Sequence, residues 1–350
     1  MLTRRNFLRS SGALAALSLA PVSKAATALS HTGKRNLPNI LPKRLKAGNT
    51  IGLITPSAPI TRQQLDDTVE KLHKLGFKTF YRDTVLSQYG YFAGKDQERA
   101  DEMMGMFSNK QVDAILCVRG GYGAIRILDM LDYDLIKQNP KVFMGYSDIT
   151  AFINAIHSRT GLVTFHGPLG VSKLNEFVWH SFESVVMNPE NHYKYRYERE
   201  PGTQVNPEFD RYTINRGKAT GKLIGGNISV IASMIGSDFE PDFENKIVFL
   251  EEIEEKTYRV DKMLVHLLQA TNLKKAAGIV FGVFNQCNIN DEPRLTLKQA
   301  IADLFEPLTI PISYGFPFGH IDNIITLPIG IEARFNANKN TLKLLEKAVS

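Results

Sequence analysis

Short apolar runs alternate with longer stretches of helical spacing along most of this chain. Residues 50–55 are an apolar run stopped by Pro56-Ser57-Ala58-Pro59, which predicts a strand and its end. Residues 61–72 follow with a capping threonine and apolar positions at helical spacing, and Gly76 closes them. The alternation continues with a strand at 77–81, a helix at 96–107, a strand at 114–118, a helix at 124–131 and a strand at 141–144. Strands separated by helical patterns predict a parallel sheet with helices on its faces. In such sheets, sites lie beyond the carboxyl ends of the strands.

From 167 to 216 the pattern loosens, and the strand-like alternation at 193–202 predicts a connection. Regularity returns with 217–227, a helix at 228–235, a buried strand at 246–250 and a helix at 258–270. A strand at 278–284, a helix at 297–304, an extended segment at 310–314 and a β-rich tail at 324–335 complete the chain. The expected fold class is α/β. A parallel-sheet domain at 47–170 and a connection at 171–216 precede a mixed α/β domain at 217–350 with β-rich closure. No internal repeat is visible.

The first 25 residues stand apart. Arg4-Arg5-Asn6-Phe7-Leu8, the mildly apolar run 12–20 and Ser23-Lys24-Ala25 have the order of a secretory leader. The paired arginines resemble a twin-arginine export signal, so export to the periplasm is expected. Residues 26–46 are rich in small, basic and proline residues and predict a tether. Nowhere else is the chain apolar for long enough to predict a membrane helix.

Charge adds little. The formal net charge is +6, and Arg4, Arg5, Arg9 and Lys24 supply four of those charges without any acid among the first 25 residues. No basic run interleaved with aromatics occurs elsewhere, so nucleic acid is not expected as a partner. The two cysteines, Cys117 and Cys287, lie in or beside apolar strand patterns without a CxxC or a neighbouring histidine. They read as buried thiols, with neither a zinc site nor a disulfide implied.

Two strand ends carry candidate chemistry. Lys141 to Met144 leads through Gly145 and Tyr146 to Ser147, with Asp148 and Thr150 opening a helix. A serine on such a turn presents its hydroxyl where helix N–H groups point, which suits a nucleophile. The same position also suits a helix cap. The other end is Arg119-Gly120-Gly121-Tyr122-Gly123, whose glycines allow backbone N–H groups close to a developing oxyanion. It lacks a full GxGxxG fingerprint for a nucleotide. Arg119 could hold a carboxylate or form a structural ion pair.

A nucleophilic serine needs a base, normally a histidine oriented by a carboxylate. Of eight histidines, His31 lies in the tether; His73, His157, His180 and His192 read as surface residues, and His266 sits on a helix face. His166 follows an apolar strand and reads as a buried, hydrogen-bonded residue. His320 differs, in a loop after Gly315-Phe316-Pro317-Phe318-Gly319. Glu251 ends an apolar strand, where burial requires a partner; Glu252 beside it points to the opposite face and competes for the same role, because the sequence does not say which face meets the histidine.

The motifs 118–123, 145–148, Gly225-Gly226-Asn227, 250–253 with 258–261, and 318–320 with 326–330 occur in one order. Together they resemble the L,D-carboxypeptidases of murein recycling, the muramoyltetrapeptide carboxypeptidases, over residues 48–335. The resemblance implies Ser147 as nucleophile, His320 as base and Glu251 as orienting carboxylate, in a cleft between two domains. It implies metal-free release of a terminal D-alanine from a murein stem peptide, without a cofactor. The expected oxyanion donors are the N–H groups of Asp148 and of Gly121 or Gly120. Arg119 and Tyr122 are the candidate substrate-binding residues. The resemblance also suggests a homodimer. Relatives that cleave peptide-nucleotide antibiotics are the alternative in the same family, and a non-catalytic peptide-binding protein is the alternative outside it.

Overall fold

Strands ending in polar residues carry the site, so their order in the sheets decides what meets what. The computed structural model describes residues 37–195, 209–287 and 295–350. The expected leader at 1–25, the start of the expected tether and the alternating stretch beyond Tyr195 lie outside the described residues.

The first half runs β1 (Thr50–Ile54), α1 (Arg62–Lys74), β2 (Lys78–Phe80), α2 (Asp96–Ser108), β3 (Ala114–Cys117), α3 (Tyr133–Gln138), β4 (Val142–Gly145), α4 (Thr150–Thr160) and β5 (Phe165–His166). After α5 (Glu176–Phe182), the second half runs β6 (Tyr212–Asn215), β7 (Lys218–Asn227), α6 (Ile228–Met234), β8 (Ile247–Ile253), α7 (Thr257–Ala270), β9 (Gly278–Asn285) and α8 (Leu297–Phe305). It ends with β10 (Ile312–Tyr314), β11 (Leu327–Pro328), β12 (Glu332–Asn336) and β13 (Thr341–Leu344).

Two sheets result, and the fold is α/β. The first has the order β11-β5-β4-β3-β1-β2, parallel except for β11. The second has the order β13-β12-β7-β8-β9-β10-β6, with β7 to β10 parallel and antiparallel strands at both edges. Helix starts follow local chemistry: Thr61 and Gln64 form a reciprocal capping box on α1, and Asn227 accepts from the Val230 N–H at the start of α6.

Three segments differ from the sequence expectation. Residues 40–46 of the expected tether are part of the fold: Leu45 is buried, and its N–H donates to Val186 O while Arg44 N–H donates to Ser350 O. Apolar Ile40, Leu41 and Leu45 outweigh the basic residues between them. The expected connection at 171–216 contains α5, capped by Asn175, and the edge strand β6. The expected helix at 124–131 is 3₁₀ over Ala124–Met130, starting straight after the glycine loop.

The core follows strand alternation. On β8, Ile247 and Phe249 join the large core that includes the first sheet, whereas Val248 and Leu250 join a second core under α7 and α8. Burying a side chain of this size contributes roughly 1.5–3 kcal/mol. β8 is therefore buried on both faces, and its last residues inherit the same alternation. Among the described residues no helix is long and apolar enough to cross a membrane.

Candidate active site

The sharp bend at the end of β4 falls on Ser147 itself. Its φ is +66°, whereas Gly145 keeps an ordinary negative φ. A non-glycine residue in this region stores on the order of 1–3 kcal/mol of strain and persists only where its surroundings hold it. Gly145 is needed for space, since a Cβ there would lie 2.9 Å from Ile149 Cγ2. Ser147 does not cap α4, whose N-cap position is Ile149; its Oγ lies 2.9 Å from His320 Nε2.

The other ring nitrogen, His320 Nδ1, lies 2.8 Å from Glu251 Oε2. Ser147, His320 and Glu251 thus form a continuous chain drawn from β4, the loop before β11, and β8. Glu251 is fully buried. Alternation along β8 selects it, since Glu251 follows Ile247 and Phe249 toward the core shared with the first sheet. Glu252 turns the other way. It accepts from Asn227 Nδ2 at 2.9 Å, from Ser229 N–H at 2.9 Å and from the Ser229 hydroxyl, beside the start of α6.

The charges reinforce each other. Burial opposes the His320 imidazolium, but the Glu251 charge and hydrogen bond, with Glu252 and Glu254 behind, hold its pKa above the ordinary histidine value. Burial likewise opposes ionised Glu251, yet His320 outweighs it and the carboxyl stays below its usual range. Burial and the neighbouring Glu251 charge push Glu252 upward, against its hydrogen bonds.

Asp148 is a structural tie as well as a candidate backbone donor. Its buried carboxylate accepts from Ser57 Oγ at 2.6 Å and from Ala124 N–H at 2.8 Å, so it binds the Ser147 turn to the loops after β1 and β3. Burial raises its pKa, and these two bonds partly offset that. Gly120 lies against Ser147, since a Cβ there would be 2.8 Å from Ser147 Cβ. Gly121 is the next residue of that loop, and Asp148 follows Ser147 in the chain. Gly121 has φ +122°, and a Cβ there would be 2.3 Å from Ala58 Cβ.

Arg119 is exposed, and its Nη1 donates to Pro59 O at 3.1 Å. No ion pair to it is seen among the described residues. Tyr122 is half exposed beside Tyr91 and Phe92. His166 is buried as expected, but neither ring nitrogen has a hydrogen-bond partner. Tyr146, Phe249 and Phe318 surround its ring, and burial lowers its pKa to about 4. Among the described residues no group of three His, Cys, Asp or Glu side chains is placed to hold a metal ion.

Several positioning residues escaped the sequence reading. Thr150 Oγ1 accepts from Asn227 N–H at 3.0 Å, and Asn154 Nδ2 donates to Gly225 O at 2.9 Å. These bonds join α4, which follows Ser147, to the end of β7, the neighbour of β8. Tyr146 sets its ring edge-to-face with His320 at 5.0 Å. The signal available for Ser57 was its place at the carboxyl end of a parallel strand.

Comparison with known proteins extends over the same two halves. Residues 51–167 match the LD-carboxypeptidase N-terminal domain, and residues 220–335 match the LD-carboxypeptidase C-terminal domain. A probable murein peptide carboxypeptidase of Bacillus subtilis (strain 168) is 37% identical over 318 residues, which is 89% of this chain and 96% of that protein. The structure of MccF, a Microcin C7 self-immunity protein of Escherichia coli, in complex with glutamyl sulfamoyl guanosine aligns with a TM-score of 0.81 at 25% identity, covering 89% of this chain and 99% of that one. A muramoyltetrapeptide carboxypeptidase from Oxalobacter formigenes aligns with a TM-score of 0.72 at 28% identity, covering 85% and 98%. With both domains matched in order and more than a third of its residues shared with one relative, the chain belongs to the LD-carboxypeptidase family.

Proposed function

We propose that this protein is a serine-type L,D-carboxypeptidase that removes the terminal D-alanine from murein tetrapeptides. The observation that carries the reading is the unbroken Ser147–His320–Glu251 chain, with both links at hydrogen-bond length. Ser147 Oγ attacks the carbonyl carbon of the scissile amide while His320 Nε2 takes its proton. The carbonyl oxygen becomes an oxyanion facing the N–H groups of Gly121 and Asp148, donors of a kind typically worth about 3 kcal/mol each in the transition state. Collapse breaks the C–N bond, and His320 returns the proton to the departing amine. Water then attacks the acyl-enzyme with His320 again as base, regenerating Ser147. Glu251 keeps the proton of the neutral ring on Nδ1 and stabilises the imidazolium. Arg119, at the rim of the glycine loop, is assigned to the free carboxylate of the leaving residue.

The higher identity to a murein peptide carboxypeptidase favours this substrate class over peptide-nucleotide antibiotics, for which the MccF structures provide the alternative. The twin-arginine-like leader supports action in the periplasm, and fractionation of cells with the arginine pair replaced by lysines tests that placement.

Mass spectrometry of murein tetrapeptide incubated with purified protein tests the reaction. Wild type should yield tripeptide and D-alanine, and Ser147→Ala should lower kcat by roughly 10⁴-fold or more. Equal turnover by both would remove Ser147 as nucleophile. Turnover of an aminoacyl sulfamoyl nucleoside but not of tetrapeptide would transfer the reading to the alternative substrate.

A further inference from the structure

A second surface borders the glycine loop. Gly120 presses on Ser147, and Tyr122 follows two residues later, so the Cα atoms of Gly120 and Tyr122 lie at most about 7.6 Å apart. The Tyr122 ring is 50% exposed, Tyr91 66% and Tyr89 59%, which gathers three of the largest exposed aromatic side chains at one edge of the site. Tyr91 and Tyr122 have ring centroids 5.9 Å apart at 42°, and Phe92 lies beside both, at 4.4 Å from Tyr91 and 5.7 Å from Tyr122.

This surface is built rather than incidental. Tyr89 and Phe92 exchange backbone hydrogen bonds of 2.8 and 3.1 Å across a two-residue turn, with Gly90 at φ +61°. Ala93 N–H donates to Ser57 O at 2.9 Å, so the turn hangs on the loop whose serine holds Asp148. Arg99 and Arg126 lie over the Phe92 ring at 4.9 and 5.1 Å. Both guanidinium groups are committed: Arg126 grips Asp96 through Nε and Nη2, and the buried Arg99 binds Asp96, Pro56 O and Gly123 O. The platform therefore offers flat apolar faces and phenol hydroxyls, over two guanidinium groups that share the single carboxylate of Asp96.

We propose that Tyr91 and Tyr122 form a sugar-binding platform that takes the pyranose ring carrying the stem peptide. This inference rests on the murein reading above. A pyranose has a face of C–H groups and a rim of hydroxyl and acetamido groups, which matches aromatic faces edged by hydroxyls. The three stem residues between sugar and scissile bond span about 10 Å when extended, a reach of the same order as the span from Ser147 through Gly120 to Tyr122.

The test is the ratio of kcat/KM on N-acetylmuramoyl-tetrapeptide to that on the sugar-free tetrapeptide. In wild type it should favour the sugar-bearing substrate about tenfold, mainly through KM, the effect of one well-stacked ring. Tyr91→Ala and Tyr122→Ala should each bring the ratio toward one, and Tyr91→Phe should keep most of it. A wild-type ratio near one, or a ratio unchanged in both alanine variants, overturns the platform. Calorimetric titration of Ser147→Ala with the same two compounds separates the two claims. If wild type turns over neither compound but the sugar-bearing one binds more tightly in a Tyr91-dependent way, the reaction reading fails and the platform stands. If Tyr91→Ala weakens an aminoacyl sulfamoyl nucleoside and not the sugar-bearing peptide, the occupant is a nucleobase and the proposal is wrong.

Discussion

Glu251 and Glu252 are neighbours on one strand, both buried, and they serve opposite faces of the second sheet. Glu251 points into the core shared with the first sheet and meets His320. Glu252 points toward α6, where it gathers the Asn227 amide and the Ser229 N–H and hydroxyl. Their pKa values are moved in opposite directions, with Glu251 lowered by its histidine and Glu252 raised by burial and by Glu251 itself. The difference shows that residue type and strand position do not make an orienting carboxylate. The face does, because only one face is shared with the half that carries the serine.

The same substitution at both positions breaks or confirms this contrast. Glu251→Gln should have the larger effect on catalysis, a loss of roughly 10⁴-fold in kcat, because a glutamine amide can donate to Nδ1 and force the ring proton onto Nε2. It should also move the pH profile. With His320 as the proposed base, activity requires its neutral form and is lost as pH falls through its pKa, which is held above the ordinary histidine value. Removing the Glu251 charge leaves burial to lower that pKa, so the acid limb of kcat/KM should shift to lower pH. An acid limb that stays in place would mean that another group sets it.

Glu252→Gln should act on stability first. A glutamine has one acceptor oxygen, so its amide would confront either the Asn227 and Ile253 donors or those of Ser229. The expected cost is about 1–3 kcal/mol in urea unfolding. The acid limb should move downward only slightly, since Glu252 is a lesser contributor to the His320 shift than Glu251. A loss of kcat comparable to that of Glu251→Gln would make the two faces equivalent in function and end the distinction.

Much of this was legible before any coordinates. The βα alternation, the strand ends at Ser147 and Glu251 and the odd loop at His320 are local patterns, and local patterns survive in sequence. What could not be read is what depends on register or on contact between distant segments. Sequence placed Glu251 and Glu252 on opposite faces but could not say which face lies toward His320. The packing of β11 against β5, far from its sequence neighbours, was equally invisible, as were the Thr150 and Asn154 bonds to the end of β7. The helical signal of α5 is weak, a short apolar stretch in a segment with no regular period.

The smallest expected effect probes the other half of the site, where the backbone of Ser147 is held at φ +66°. Ser147→Ala and Ser147→Gly both remove the hydroxyl and should both be inactive. They differ in backbone freedom, since alanine retains a Cβ in the left-handed region and glycine does not. Glycine should therefore give the more stable protein by about 1 kcal/mol or less, the relief of strain being partly offset by its greater freedom when unfolded. Urea unfolding of the two variants measures the difference directly. Equal stabilities, or an advantage for alanine, would mean that the turn relaxes once its bond to His320 is gone. In that case the second half would impose the bend on Ser147, whereas the expected result places the strain in the first half, held by Asp148, Ser57 and the glycine loop.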